Sequence, residues 1–497
     1  MNNSTWELIA FCLYFVAMIG VGFVFYKKTN TLSDFILGDR SMGPFVSAIS
    51  AVASDMSGWM LMGLPGAVYL AGMNQLWIGI GLALGTYISW LVVAKRLRNY
   101  SVVAGNALTI PEFLQNRFHD RSGVLRLVSG IVILVMFTIY VASSLSAGGT
   151  LFVTLFPSLA YQTAVVITAI IIIFYTFLGG FKAVCWTDLF QGMLMLIAAV
   201  AVPVFALGLV SGEDVSAKLA SMDLGAGFLN LMQNQDGSPY TFTSLISNLA
   251  WGLGYLGMPH ILVRFMAVRE AREIKVSRRI ATGWVVIALG AVTAVGIVGR
   301  LVLGSALADA GSQETVFIVL TRQVFSAAPF LVGILLSAIL AAAMSTADSQ
   351  LLVVSSTITN DLYSKMTKKE ISQKKLVWIS RGAVAVIAVI AAAIALDENS
   401  TIMSLVSNAW SGFGATFGPV ILMSLIWKRT NKAGAAAGMI VGAAVWFVWT
   451  QFFAGTGLYE MVPAFLASLA ALVIVSLATK KPAQEIQDEF EQVKAMH

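Results

Sequence analysis

A chain of 497 residues that is 58% hydrophobic and only 11% charged is not a soluble domain, where about a quarter of residues carry charge. Its apolar runs mostly exceed the ~17 residues needed to cross a bilayer as helices, and no ten-residue alternation suggests a barrel. The net charge of +6 lies in short segments between those runs, so it points to a lipid bilayer and not to nucleic acid.

In chain order, apolar spans are expected at 5–26, 43–71, 75–94, 125–153, 162–178, 186–211, 240–265, 280–303, 327–358, 376–396, 401–427, 434–454 and 460–479. The expected fold is therefore an all-α integral membrane protein of thirteen transmembrane helices, with the termini on opposite sides. Placing the N-terminus outside puts YKK (26–28), KRLR (95–98), REAREIKVSRR (269–279), KMTKKEISQKK (365–375), KRTNK (428–432) and KK (480–481) inside. Of the 31 Lys and Arg residues, only Lys218, Arg300 and Arg322 then fall outside, which fixes the orientation as N-out and C-in.

The start, MNNSTWELIAF, lacks the basic region and cleavage site of a signal peptide. Residues 212–239 read as an outward loop with short helices, and the tail 482–497 as a solvated helix or a disordered end. Cys12 and Cys185 are far apart, and His119, His260 and His497 are scattered, so neither a disulfide framework nor a metal cluster is expected. No GxxxxGK[ST], HExxH or GxSxG occurs, so neither an ATP-driven pump nor an enzyme is indicated.

Within this apolar chain the polar insertions are informative. VASDMSGWMLMGLPG (52–66) sets Asp55 in the second span, where a carboxylate costs roughly 3 kcal/mol or more. The same stretch carries Gly63-Leu64-Pro65, and WGLGYLGMP (251–259) repeats the pattern as Gly257-Met258-Pro259. Paired helix interruptions of this kind expose N–H groups for a carboxylate and carbonyls for a cation near the membrane midplane. The breaks divide the chain into an extra helix and loop (1–42), a five-helix unit (43–211), the loop 212–239, a second five-helix unit (240–427), two further helices (428–481) and the tail 482–497.

The ninth span adds SAILAAAMSTADSQLLVVSS (337–356), in which Ser345, Asp348 and Ser349 share a helix face with Thr346 beside it. Hydroxyls and carbonyls suit a hard cation. Asp188 in GGFKAVCWTDLFQG (179–192) reads equally as an inner-vestibule ion guide or as a helix-start carboxylate facing water.

These stretches, with SNAWSGFGATFGPVILMSL (407–425), resemble the solute:sodium symporter family over nearly the whole chain, most closely its sodium/proline symporters. The resemblance implies a LeuT-type core of two inverted five-helix repeats whose first helices are discontinuous. It implies Na+ as the coupling ion, held by the carbonyls of Ala53, Met56 and Ala342 and the hydroxyls of Ser345 and Thr346. Asp55, Asp188, Asp348 and Ser349 would support that site. L-proline would be held by Ser57, Gly58, Trp59, Tyr140, Trp251, Tyr255 and Pro259. Some relatives place a second sodium on hydroxyls near 345, 348 and 349, whereas position 348 here is aspartate.

A pocket of rings and glycines with few amides suits a compact apolar ring with a zwitterionic head better than a sugar. Another small amino acid or a short carboxylate is the alternative solute. A channel would need a repeated filter loop and a sensor a signalling domain, and neither is legible. The resemblance also implies a bacterial inner membrane, and nothing calls for an obligate protein partner.

Overall fold

The computed structural model describes residues 3–26, 32–178, 180–212, 214–222, 224–309, 311–363, 372–397 and 400–496. Lys27 and Lys28 of the first basic segment, Lys365, Lys368 and Lys369 of the fourth, Gly179 and His497 lie outside the described residues.

The long helices are α1 (Asn3–Tyr26), α2 (Pro44–Ala53), α3 (Trp59–Ala71), α4 (Met73–Val103), α5 (Val124–Leu155), α6 (Tyr161–Leu178) and α7 (Phe181–Ala206). They continue as α8 (Phe242–Leu249, tightening into a 3-10 stretch over Ala250–Leu256), α9 (Pro259–Ala267), α10 (Ile274–Leu303), α11 (Pro329–Ser356) and α12 (Gln373–Ala395). The chain ends with α13 (Ile402–Ile426), α14 (Lys432–Phe452), α15 (Met461–Ala478) and α16 (Gln484–Ala495). Counting α2 with α3 and α8 with α9 as single interrupted spans recovers each of the expected crossings among the described residues. Among the described residues, ten helices are individually long and apolar enough to cross a membrane. The other crossings are the shorter α6 and the two interrupted spans.

The two interruptions have different local causes. Before Pro259, Met258 takes an extended backbone (φ −78°, ψ 108°), as a residue preceding proline must, and Pro259 then opens α9. The GMP break therefore falls where expected. The first break does not fall at Gly63-Leu64-Pro65. It lies at residues 54–57, beside Asp55, where the Ser57 N–H turns back onto the Asp55 carbonyl at 2.9 Å. Short polar side chains here compete with helical bonding, whereas Pro65 is absorbed by a π-helical turn over Trp59–Gly63 that shifts the hydrogen-bond register.

The interrupted spans meet at the centre of the bundle. Gly85 of α4 approaches the 3-10 stretch so closely that a Cβ would stand 2.2 Å from the Gly252 carbonyl oxygen. Gly58 is held as tightly, since a Cβ there would lie 2.4 Å from the Ala147 methyl on α5. The hairpin α14–α15 packs against α13. The tail differs from the solvated or disordered expectation: α16 lies against the protein with Ile486, Phe490 and Val493 buried. Those three residues fall on one helical face, so the tail is amphipathic.

Candidate ion and solute site

The end of α2, where it opens into the unwound segment 54–57, is gripped from α11. Ser345 Oγ donates to the Ala53 carbonyl at 2.8 Å and approaches the Ala342 carbonyl in its own helix at 3.3 Å. Met56 lies in the same segment, its N–H still bonded to the Val52 carbonyl at 2.9 Å. Thr346 Oγ1 is buried beside Ser345 and has no hydrogen-bond partner among the described residues, and neither has Asp55 Oδ1. A buried oxygen without a donor is costly. Carbonyls, two hydroxyls and a nearby carboxylate form a donor set suited to a hard cation and unsuited to a soft one. The residues fit sodium.

The same segment ties this candidate ion locus to an aromatic wall. Tyr255 donates its hydroxyl to Asp55 Oδ2, while the Asp55 carbonyl accepts from Trp59 Nε1 at 3.0 Å and from Tyr140 at 3.2 Å. Trp251 lies between Trp59 (ring centroids 6.2 Å apart), Trp410 (6.5 Å) and Tyr459 (5.5 Å), and Tyr255 meets Trp410 edge-on at 5.2 Å. Ser57 Oγ is buried without a partner among the described residues, and Pro259 is buried four residues beyond Tyr255. Trp251 is only 5% exposed, so this locus is closed to solvent.

Asp188, Asp348 and Ser349 assemble elsewhere, one helical turn along α11 from Ser345. Asp188 is fully buried, which removes the reading of a helix-start carboxylate facing water. Its Oδ2 accepts from Ser50 at 2.6 Å and pairs with Arg264 at 3.1 Å. Arg264 also donates to Ser349, to Ser50 at 3.0 Å and to the His260 carbonyl at 2.8 Å. Asp348 reaches this group through Ser349 at 3.4 Å. One guanidinium thus joins α2, α7, α9 and α11.

The two ends of the bundle differ. Towards the basic segments, the chain before α2 pairs with the chain after α9: Met42 N–H bonds the Ala267 carbonyl at 3.2 Å, and Arg269 N–H bonds the Met42 carbonyl at 2.9 Å. Arg40 fastens the same seam through the Met266 carbonyl (2.6 Å), Ser101 (3.0 Å) and the Ala107 carbonyl (2.8 Å). Burial, and then the neighbouring Arg98, pull its pKa down to about 10, so it stays cationic at neutral pH. At the opposite end a cavity of about 480 Å³ opens among residues that include Ser146, Thr150, Glu314 and Thr401. There Glu314 accepts from the Ile402 and Met403 N–H groups at 3.0 Å each, occupying the positive end of α13.

A family model, the Sodium:solute symporter family, matches residues 35–442. The chain belongs to that family. The sodium/proline symporter of Escherichia coli (strain K12) is 46% identical to it over 500 residues, covering 100% of this chain and 97% of that protein. The high-affinity proline transporter PutP of Bacillus subtilis (strain 168) is 47% identical over 477 residues, covering 95% and 98%. Among solved structures, a substrate-bound outward-open Na+-coupled sialic acid symporter superposes with a TM-score of 0.79 at 20% identity, covering 96% of this chain and 99% of that one. Mhp1, a nucleobase-cation-symport-1 family transporter in a closed conformation, gives 0.55 at 14% identity, covering 94% and 99%. The fold of this symporter-family chain is thus the LeuT type.

Arg264, Trp410, Tyr459 and Glu314 were not among the expected site residues. An arginine inside the expected span 240–265 was a signal for the first, since charges within spans mark buried networks. Trp410 sits in a stretch that carries the family resemblance. Nothing local distinguishes Tyr459.

Proposed function

We propose that the chain carries L-proline inward together with Na+ by alternating access, with its N-terminus outside and its C-terminus in the cytoplasm of a bacterial inner membrane. One observation supports this most: the last residue of α2 and the unwound segment that follows it carry both loci. Ala53 and Asp55 lie two residues apart, the first bonded to Ser345 of the ion locus and the second to Tyr255 and Tyr140 of the aromatic wall. The names of the E. coli and B. subtilis relatives support proline as the solute.

In this reading Ala53, Met56, Ala342, Ser345 and Thr346 hold the ion, and Asp55 supplies negative charge beside it. Sodium joins α2 to α11 and so favours the conformer in which the segment holds Trp59, Tyr140 and Tyr255 around the solute. Thermodynamic linkage then requires proline to tighten sodium by the same factor. Trp251, Tyr255 and Pro259 enclose the pyrrolidine ring, and the Ser57 hydroxyl with the helix start at Gly58 meets its carboxylate.

One sodium entering down a tenfold gradient releases ~1.4 kcal/mol. A potential of about 100 mV adds ~2.3 kcal/mol, because zwitterionic proline carries no net charge. Together these sustain an accumulation of roughly several hundredfold from one ion.

The test is labelled L-proline uptake into proteoliposomes under an imposed sodium gradient, with unlabelled amino acids and short carboxylates as competitors. Uptake that requires sodium and yields only to proline and close ring analogues is expected. Uptake indifferent to collapse of the sodium gradient overturns the coupling, and stronger competition by another solute class overturns the substrate.

A further inference from the structure

Away from the ion and solute site, α16 closes a crevice of about 390 Å³ against the ends of α4 and α13. Its walls include Ile426, Phe490 and Val493, and its polar lining comprises Arg96, Lys494 and Tyr100. Ile426 is 44% exposed at the end of a spanning helix, so one wall of the crevice faces the level where lipid tails meet headgroups.

The polar lining is left with unused donors. Arg96 donates one N–H to the Val92 carbonyl at 2.8 Å, leaving most of its five donors free among the described residues. Among the described residues Lys494 has only a loose contact with Glu491, at 3.9 Å, and that carboxylate is already held by Lys428 at 2.9 Å. Tyr100 is 1% exposed, yet its hydroxyl has no hydrogen-bond partner among the described residues. Behind it the Arg117 guanidinium stacks 4.7 Å over the Tyr100 ring and 5.6 Å over the Phe490 ring, adding fixed positive charge. A second carboxylate on α16, Glu489, bonds His119 at 2.9 Å through one oxygen, and its other oxygen is buried without a partner among the described residues.

We propose that this crevice binds one anionic phospholipid. The phosphate sits between Arg96 and Lys494 and accepts from the Tyr100 hydroxyl, while the glycerol and the tops of the acyl chains leave across Ile426. Basic pockets between spanning helices at a membrane surface recognise such headgroups through this combination of charge and apolar wall. A soluble anion would use the cations and leave the apolar wall unoccupied. Because Phe490, Val493 and Lys494 all belong to α16, the lipid also fastens the tail to the transport core.

The full-length protein, released from detergent and weighed intact with bound lipid, tests the assignment. Titrated with phosphatidylglycerol or with zwitterionic phosphatidylethanolamine, the wild type should retain one phosphatidylglycerol under conditions that strip phosphatidylethanolamine. Arg96→Gln/Lys494→Gln should lose that retention roughly tenfold or more, and Tyr100→Phe should weaken it by about threefold. Lys480→Gln/Lys481→Gln removes the same net charge from a neighbouring surface and should retain the lipid as the wild type does. Equal retention in the Arg96/Lys494 variant, or equal loss in the Lys480/Lys481 control, overturns the site. Displacement of the lipid by inorganic phosphate at equal concentration overturns the lipid in favour of a soluble anion.

Discussion

Asp55 and Asp188 are both aspartates with no exposed surface, each set in a span that is otherwise largely apolar, and they are satisfied by opposite kinds of partner. Asp188 faces a guanidinium that is itself tied to three further groups on three helices. The Asp55 carboxylate instead meets the neutral hydroxyl of Tyr255, while each of the two aspartates keeps one oxygen without a donor among the described residues, so the partner alone separates them. A carboxylate opposite a fixed cation strengthens packing and has little attraction left for a passing ion. One opposite a hydroxyl keeps that attraction. In the proposed reading, charge of the same kind serves cohesion at one place and recruitment at the other, and the difference lies in the partner.

The largest effect is expected where the fixed cation is removed. Arg264→Leu leaves Asp188 without its counter-charge in a dry interior, a change of about 3–5 kcal/mol for a buried pair broken on one side. The variant should lose heat stability in detergent, and Arg264→Leu/Asp188→Asn should recover part of that loss. Wild-type melting of the single variant would mean that the guanidinium holds nothing together.

Asp55→Asn should do the reverse. Burial favours the neutral amide, so stability is expected to stay near that of the wild type. Sodium-driven uptake should fall by on the order of 100-fold, the scale of one lost charge-assisted interaction. Asp55→Glu should retain partial transport, since it keeps the charge and changes the reach. An active Asn variant would make Asp55 a packing residue and erase the contrast with Asp188.

Most of the architecture was legible because apolar run length alone sets where a helix crosses. Span ends were legible only where composition changes sharply: α4 runs on to Val103, past the expected 94, because KRLRNY remains helical as it leaves the apolar layer. The first break was misplaced because Gly-Leu-Pro carries the standard breaker residues, whereas the helix opens at Ser54 to Ser57, where side chains compete for backbone bonds. The site was legible in part. Ser345, Thr346 and Asp55 are polar residues in apolar runs, which a single sequence displays. The roles of Trp410, Tyr459 and Glu314 arise from contacts between segments far apart in the chain, such as Glu314 on the Ile402 N–H, and local pattern carries no trace of those.

A third test concerns the wall that Asp55 organises and Asp188 does not. Trp251→Ala removes a ring packed among Trp59, Trp410 and Tyr459, worth about one factor of ten in solute affinity if that wall holds the pyrrolidine ring. The proline concentration for half-maximal uptake should rise roughly tenfold, while the sodium requirement at saturating proline stays close to wild type. Unchanged proline kinetics in a well-expressed variant would detach the wall from the solute.

The smallest expected change is the most discriminating. Thr346 Oγ1 is buried beside Ser345 with no hydrogen-bond partner among the described residues, so Thr346→Ala removes an oxygen free to ligate the proposed ion. Losing one hydroxyl ligand should raise the sodium concentration for half-maximal uptake by roughly five- to tenfold. Through linkage, proline affinity measured at low sodium should fall as well, because fewer molecules hold the ion that favours the solute-binding conformer. Raising sodium must then restore it. Proline binding across a sodium titration in both proteins reads this directly: the two affinity curves should converge at saturating sodium. A gap that stays constant at every sodium concentration would mean that Thr346 shapes the solute pocket itself. The ion locus beside Asp55 would then have to be sought without it.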